Sequence, residues 1–453
     1  MGAAGDGKQS VNTILGHPAR LVPAAFLVAI LCGTALLMLP VAQAQGAWTP
    51  FLAALFTSTS AVCVTGLAVV DTAAHWSPFG RVVILGLIQI GGFGMMTSAA
   101  LLGALIARRL SFAARRLAQA EARGLSPGEV VGVLRLVLLT TVAVELLVAA
   151  AVALRLRHGH GLGWDEALWH GVFHAVSAFN NAGFSTWSDS LMGFTADPLL
   201  LAPIALAVIL GGLGAPVLAD LRRCASRPAR WSLHTKLTLL GTALLLAVGA
   251  IATLLGEWNN RGTLGALAPA DRVGNALFHS VMLRTAGFNA LNIGAMRDET
   301  LAVGAALMLI GGGSAGTAGG IKVTTFLLLG LVVWAVVRGE RDTAAFGRRV
   351  PDEAQREALT VVLLAVGLVS LGSLLLLSIT HLPPRDVVFE AVSAFATVGL
   401  STGITPDLPP EAQAVLIVLM FVGRIGPVTA AAALALRARP SPYRYPEERP
   451  IVG

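Results

Sequence analysis

Three observations predict an all-α membrane protein. In this reading, four repeats of outer helix, pore helix, filter loop and inner helix give eight transmembrane helices around a pseudo-four-fold pore. The chain has 453 residues, of which 55% are hydrophobic and only 13% charged. A soluble domain carries about 25% charged residues. Mean hydropathy is +0.75. Apolar runs long enough to span a bilayer, about 20 residues each, fall near 21–41, 79–106, 130–154, 197–221, 233–256, 299–337, 358–380 and 412–437. Finally, one short sentence recurs four times, about 110 residues apart.

That sentence opens each time with Phe, at Phe56, Phe173, Phe278 and Phe389, and closes on Gly66, Gly183, Gly287 and Gly399. Each copy is a short amphipathic stretch between two long apolar segments. A repeat dictates architecture and must be found first. Glycine is the default where a chain needs positive φ, so simple turn chemistry is the plain alternative. Four copies in register, each preceded by Thr, Ala or Val, weigh against it. Non-helical backbone at membrane depth is tolerated only where it is buried in protein or lines a watery cavity. Four such loops can supply a ring of carbonyl oxygens that replaces an ion's hydration shell. The candidate lining is Val64, Thr65 and Gly66, then Asn181, Ala182 and Gly183, then Thr285, Ala286 and Gly287, then Thr397, Val398 and Gly399.

The expected segments follow from these marks. Residues 1–20 form a cytoplasmic tail and 21–106 the first pore repeat. Residues 107–129 form a cytoplasmic loop and 130–222 the second repeat. The third repeat takes 223–338 and has a broken inner helix. A cytoplasmic loop at 339–357 leads to the fourth repeat at 358–438 and a tail at 439–453. Basic residues sort by side: Arg108, Arg109, Arg115 and Arg116; Arg222, Arg223, Arg227 and Arg230; Arg338, Arg341, Arg348 and Arg349; Arg437 and Arg439. The positive-inside rule places these loops and both termini in the cytoplasm. The net charge of +7 therefore reports topology. Nucleic-acid binding would need a basic patch on a folded domain, so no nucleic-acid partner is expected.

Lys8 and Arg20 precede an apolar run, and Ala42-Gln43-Ala44 resembles a cleavage site. The run is long for a signal peptide's core, and the first repeat needs its outer helix, so it reads as a span. Cys32, Cys63 and Cys224 are scattered and form no disulfide framework.

The inner helices carry a second motif about 26 residues after each turn glycine: Gly91-Gly92-Phe93-Gly94, Gly211-Gly212-Leu213-Gly214, Gly313-Ser314-Ala315-Gly316 and Gly423-Arg424-Ile425-Gly426. At ~1.5 Å per helical residue they lie at similar depth in mid-membrane. The third span departs most. It places Gly311, Gly312, Gly313, Ser314, Gly316, Thr317, Gly319 and Gly320 just before Lys322. Each glycine costs about 1 kcal/mol in a helix relative to alanine, so this stretch reads as an intramembrane loop facing the pore. Close helix packing is the alternative, but packing needs small residues at one-turn spacing. Gly311-x-Gly313-x-x-Gly316 matches a dinucleotide fingerprint only formally, because no strand precedes it.

Arg424 sits mid-span where the first two copies keep Gly92 and Gly212. A charge at bilayer centre costs at least ~2.5–3.5 kcal/mol and is a functional candidate by default. It reads as a positive barrier beneath the filter, or else as half of a salt bridge with mid-span Glu145. Glu145 itself reads as a structural hydrogen-bond anchor near the gate. His174, His279 and Glu390 occupy one place in three copies and read as helix-start caps. No metal-ligand spacing and no catalytic constellation is present, so an enzyme is not expected. A secondary transporter of an organic solute would need a midplane site with several polar groups, and the spans offer mainly Arg424 and Glu145.

Gln89-x-Gly-Gly-x-Gly-Met, Asn181-Ala-Gly-Phe, Arg284-Thr-Ala-Gly-Phe-Asn, Gly319-Gly-Ile-Lys-x-Thr-Thr-Phe and Gly423-Arg-x-Gly-Pro-x-Thr resemble motifs of the K⁺ transporter superfamily that includes TrkH, KtrB and HKT proteins. The match covers essentially the whole chain, and eight spans resemble the KtrB type. The terminus Tyr445 to Gly453 is similar to KtrB tails at a homodimer contact. The resemblance implies a channel-like K⁺ uptake subunit in the inner or plasma membrane, commonly Na⁺-stimulated. It implies one pore per protomer of a homodimer and a cytosolic, nucleotide-binding, KtrA-like RCK ring that gates it. The chain itself binds no cofactor; K⁺, and Na⁺ in some members, is the transported or activating ion. Residues Gly313 to Gly320 would form the gating loop and Arg424 the blocking charge. This loop is poorer in proline than in some relatives. Serine in place of the first filter glycine marks Na⁺-selective relatives, and Gly66 is glycine. A Na⁺ or mixed monovalent-cation transporter of the same fold is the alternative.

Overall fold

The computed structural model describes residues 18–109 and 127–426. Arg115, Arg116, Arg437 and Arg439 lie outside them, as do most of the proposed tails and the terminus from Tyr445.

The described chain is helical, with one two-residue β-hairpin pairing Ala344–Ala345 with Arg348–Arg349. Four short helices hold the four copies: Phe51–Val62, Trp164–Phe179, Pro269–Met282 and Pro384–Phe395. Each lies between an outer and an inner helix. The outer helices are Pro18–Met38, Pro127–Gly159, Leu233–Glu257 and Asp352–Ile379. The inner elements begin at Pro78, Pro198, Asp298 and Pro410. Local chemistry sets their starts. Proline at the first helical position surrenders an amide that would have no partner anyway, as at Pro198, Pro269, Pro384 and Pro410. Ser232 accepts from the Thr235 amide and Asp197 from the Leu200 amide, which satisfies exposed N-terminal donors.

Five described helices are long and apolar enough to cross a membrane. Their outward faces are apolar: Leu147 is 71% exposed, Leu255 79% and Leu374 65%. Exposed apolar faces of this extent mark surfaces that lipid or another protein covers.

Within the described residues, two inner elements are broken. The break expected in the third copy is one of them: Asp298–Met308 and Val323–Arg338 are helical, and residues 309–322 between them are not. A second break was not expected. The 197–221 run bends by 97° between Pro198–Leu213 and Ala215–Cys224. Gly214 sits at the elbow with φ +89°, and Pro216 follows at the start of the next helix. A side chain at Gly214 would strike the Ser314 carbonyl. The loop of the third copy thus occupies the space that a straight helix would need.

The segment after the first helix is tied down rather than free. The Ala44 amide donates to His75 O at 2.9 Å, and the Ser77 amide to Ala42 O at 2.9 Å.

The groups of helices close on themselves. The first inner helix packs on the second short helix, and the second inner helix on the third. Asp298–Met308 packs on the fourth short helix, and Pro410–Ile425 on the first. The four short helices therefore surround one axis, with their C-terminal ends at the shared centre.

Candidate functional site

Each short helix ends in the same backbone gesture. The residue two before the glycine takes a positive φ: Val64 +56°, Asn181 +59°, Thr285 +65° and Thr397 +51°. Non-glycine residues rarely hold that conformation, and a bulky or β-branched one is an outlier wherever it does. It persists only where surroundings over-determine it. Here a turn bond does so: Thr65 N donates to Ser60 O at 2.7 Å, Ala182 N to Ser177 O at 2.7 Å and Val398 N to Ser393 O at 2.8 Å. Ser60 and Ser393 hydroxyls also accept from the Gly66 and Gly399 amides at 3.0 Å.

The glycines meet in a ring. A side chain on Gly66 would strike Ala182 O, and one on Gly183 Ala286 O. One on Gly287 would strike Val398 O, and one on Gly399 Thr65 O. The order is cyclic and closed. All four glycines have positive φ, from +71° to +93°. Hydrogen is therefore the only substituent that lets the loops approach so closely, and the twelve candidate lining residues form one collar. On one side the four glycines floor an open vestibule of about 270 Å³ whose wall includes Asp71 and Trp187.

On the other side lies the loop of the third copy. It is held by backbone pairing at its mouth: Gly311 N donates to Ile321 O at 2.8 Å and Ile321 N to Leu309 O at 2.9 Å. Its body is stitched to the broken second inner helix, with Gly313 N on Gly212 O at 2.8 Å and Thr317 N on Gly211 O at 3.1 Å. The Thr317 hydroxyl bonds to Asn181 Oδ1 at 2.9 Å and Phe179 O at 3.2 Å. Gly319 packs against Thr397 and Ala396 O. Lys322 Nζ donates to Ala318 O at 2.6 Å, and Ser314 and Thr324 hydroxyls lie 3.3 Å apart. The loop, including Gly312, Gly316 and Gly320, thus reaches from the second copy's collar residues to the fourth's.

Arg424 is 2% exposed. It donates to Thr317 O and, at 3.2 Å, to Gly91 O; its Nε has no hydrogen-bond partner among the described residues. Among the described residues no ion pair joins it to Glu145, which sets aside the salt-bridge alternative. The Glu145 carboxylate instead accepts from Asn180 Nδ2 at 3.2 Å, and Asn180 also donates to Gln89 Oε1 at 2.9 Å. Glu145 is an anchor behind the second collar loop rather than a member of the loop–Arg424 cluster. An arginine carries five donors, and carbonyls can satisfy them without a countercharge.

Two further expectations change. His174, His279 and Glu390 do not cap helix starts: they are interior residues of the short helices, 0%, 4% and 0% exposed. His174 stacks on Trp187 with ring centres 4.1 Å apart and pairs with Ser185 Oγ at 3.0 Å, and Glu390 accepts from Thr405. The second-motif register also shifts in the third copy. Gly91 packs against Val62 O and Val64, and the glycine in that relation to Thr285 is Gly311, not Gly313.

One residue escaped the sequence reading. Arg284 is 7% exposed and donates to Gly311 O. A signal was available. The third copy is one residue shorter, with nine steps from Phe278 to Gly287 against ten from Phe56 to Gly66. Its helix ends early at Met282, and Arg284 fills the extra turn position before Thr285.

The sequence profile of the TrkH family, described as cation transport protein, matches residues 14–442. The chain is 40% identical to the Ktr system potassium uptake protein B of Bacillus subtilis over 436 residues, which cover 96% of this chain and 97% of that protein. It is 38% identical to the protein of the same name from Vibrio alginolyticus, covering 99% and 97%. It is also 38% identical to the potassium/sodium uptake protein NtpJ of Enterococcus hirae, covering 96% and 97%. The crystal structure of the potassium transporter TrkH from Vibrio parahaemolyticus superposes with a TM-score of 0.70 at 18% identity, over 91% of this chain and 85% of that one. The fold is the all-α membrane transporter fold, and the relatives are transporters rather than enzymes. An apolar, multi-pass helical chain matched along nearly its whole length by one family's profile is a member of the TrkH family of cation transport proteins.

Proposed function

We propose that this chain is a channel-like K⁺ uptake subunit of the cell membrane, with its ion path running through the ring of four glycines. The observation that carries the reading is the closed cyclic contact of Gly66, Gly183, Gly287 and Gly399. Such a collar, stripped of side chains, leaves backbone carbonyls as the inward surface, and carbonyl rings replace the hydration shell of K⁺. Relatives named as potassium uptake proteins support the choice of ion.

The Gly311–Gly320 loop would act as the gate. It lies across the far side of the collar from the vestibule, and Arg424 anchors it. A cation about 4 Å from a permeating ion repels it by roughly 4 kcal/mol at an effective dielectric of 20, enough to slow passage by orders of magnitude. Opening would withdraw the loop and Arg424 together. In this reading a cytosolic KtrA-like RCK ring drives that step, the chain works as a homodimer, and both termini are cytoplasmic. The relatives' names refer to a Ktr system, which supports a multi-component assembly.

A second reading is a Na⁺ or mixed-cation transporter, or one in which Na⁺ activates K⁺ uptake; the relative named for potassium and sodium uptake favours it. Complementation of a K⁺-uptake-deficient strain on low K⁺, with and without Na⁺, tests both. Growth restored on low K⁺ supports K⁺ uptake, and its dependence on added Na⁺ measures the Na⁺ link. No growth from an expressed, membrane-inserted chain, tested alone and with a ring subunit, counts against the K⁺ reading.

A further inference from the structure

We infer that Arg284 is a positioning residue that couples the glycine collar to the loop beneath it, so that the two move as one unit. The inference rests on the gate reading above and extends it to ion preference.

The geometry gives Arg284 two attachments. Its backbone belongs to the third collar loop, immediately before Thr285, which holds φ +65°. Its side chain donates to Gly311 O, at the mouth of the intramembrane loop. Its own carbonyl accepts from Asn181 Nδ2 at 3.4 Å. Asn181 Oδ1 in turn accepts from the Thr317 hydroxyl at 2.9 Å. Thr317 O is the carbonyl that Arg424 holds. A continuous circuit therefore runs from Arg284 to Asn181 to Thr317 and back along the loop to Gly311. It includes the collar residue Asn181 of the second copy and the residue joined to Thr285 of the third.

The two arginines differ in what they can affect. Arg424 reaches the loop and the first inner helix at Gly91, and neither bond includes a collar residue. Arg284 is covalently joined to the collar at Thr285. Moving Gly311 pulls on the turn that places the Thr285 carbonyl. A buried donor that loses its acceptor is left unsatisfied, at a cost that grows when the donor is charged, so the circuit resists partial opening. A residue that merely fills space would alter folding yield but not ion preference.

The test uses the full-length chain in proteoliposomes, with rubidium flux competed by K⁺ and by Na⁺. Arg284→Lys keeps the charge but loses the forked geometry that lets one side chain hold a carbonyl rigidly. The expected result is a several-fold loss of K⁺ over Na⁺ preference together with raised resting flux. Thr317→Val removes the hydroxyl that joins the loop to Asn181 while leaving the collar intact, and should also reduce preference several-fold. Arg424→Ala, run in parallel, should raise flux without that loss. If Arg284→Lys and Thr317→Val are folded yet keep wild-type preference, the coupling is overturned. Should Arg284→Lys fail to fold, Thr317→Val alone decides. If Arg424→Ala leaves flux unchanged while Arg284→Lys alters preference, the gate reading fails and the collar attachment stands.

Discussion

Arg424 donates to the backbone carbonyl of Thr317, the residue whose hydroxyl bonds to Asn181 in the glycine collar. One guanidinium therefore holds the centre of the intramembrane loop directly under the proposed ion path. Replacing it with alanine removes both the charge and the tether. Arg424→Ala should raise K⁺ flux about tenfold or more, given the size of the repulsion it supplies, with K⁺ over Na⁺ preference nearly intact. Flux is measured per folded protein in proteoliposomes. A well-folded variant no faster than wild type removes the barrier role.

The collar predicts a different signature. Gly66 and Gly287 have φ of +92° and +76° and face Ala182 O and Val398 O. A serine there strains the backbone and pushes a neighbouring carbonyl off the ring. Gly66→Ser and Gly287→Ser should lower K⁺ over Na⁺ preference several-fold, read from competition of rubidium uptake. Unchanged preference in all four glycine-to-serine variants would show that the ring does not select.

Shortening the loop should loosen the gate. Deleting Ala315 and Gly316 leaves the Gly311–Ile321 pairing at the mouth and removes the tip that touches Gly214 and Ala215. Resting flux should rise, and regulation by the cytosolic ring should weaken. Normal, fully regulated uptake by a folded deletion variant contradicts the assignment.

The elbow at Gly214 makes a stability prediction. Its φ of +89° with ψ of +154° lies in a region open almost only to glycine, where other residues cost of order 1–3 kcal/mol. Its missing side chain also makes room for Ser314 O. Gly214→Ala should lower the melting temperature in detergent by several degrees. Glu145→Gln is the contrasting control: it leaves the bend untouched and keeps an oxygen acceptor for Asn180, so its melting temperature should fall less than that of Gly214→Ala. Equal melting temperatures for Gly214→Ala and wild type would show that the bend is not built on this residue.

Much of this geometry was legible in the sequence because glycine announces unusual backbone. The four turn glycines stand in register in the chain and meet in space. The run from Gly311 to Gly320 breaks its helix where the composition says it must. What escaped depends on partners outside the local motif, from 27 residues away for Arg284 and Gly311 to 107 for Arg424 and Thr317. Gly214 reads as one more small residue in an inner-helix motif, since only the neighbouring loop makes its bend necessary. Glu145 and Arg424 look like a pair because opposite charges invite one. Backbone carbonyls, which actually hold the arginine, carry no signature of their own. Arg284 hid inside a recurring motif, marked only by a copy one residue short. His174, His279 and Glu390 looked like caps because their copies start at Phe, whereas the helices begin several residues earlier.

The most direct test of the central claim is competition of rubidium uptake by K⁺ and Na⁺ in proteoliposomes holding the purified chain, wild type beside Gly287→Ser. A carbonyl collar around the path predicts that K⁺ competes at far lower concentration than Na⁺, and that the variant narrows the gap. Equal competition by the two ions in wild type, or the same wide gap in both proteins, would contradict it.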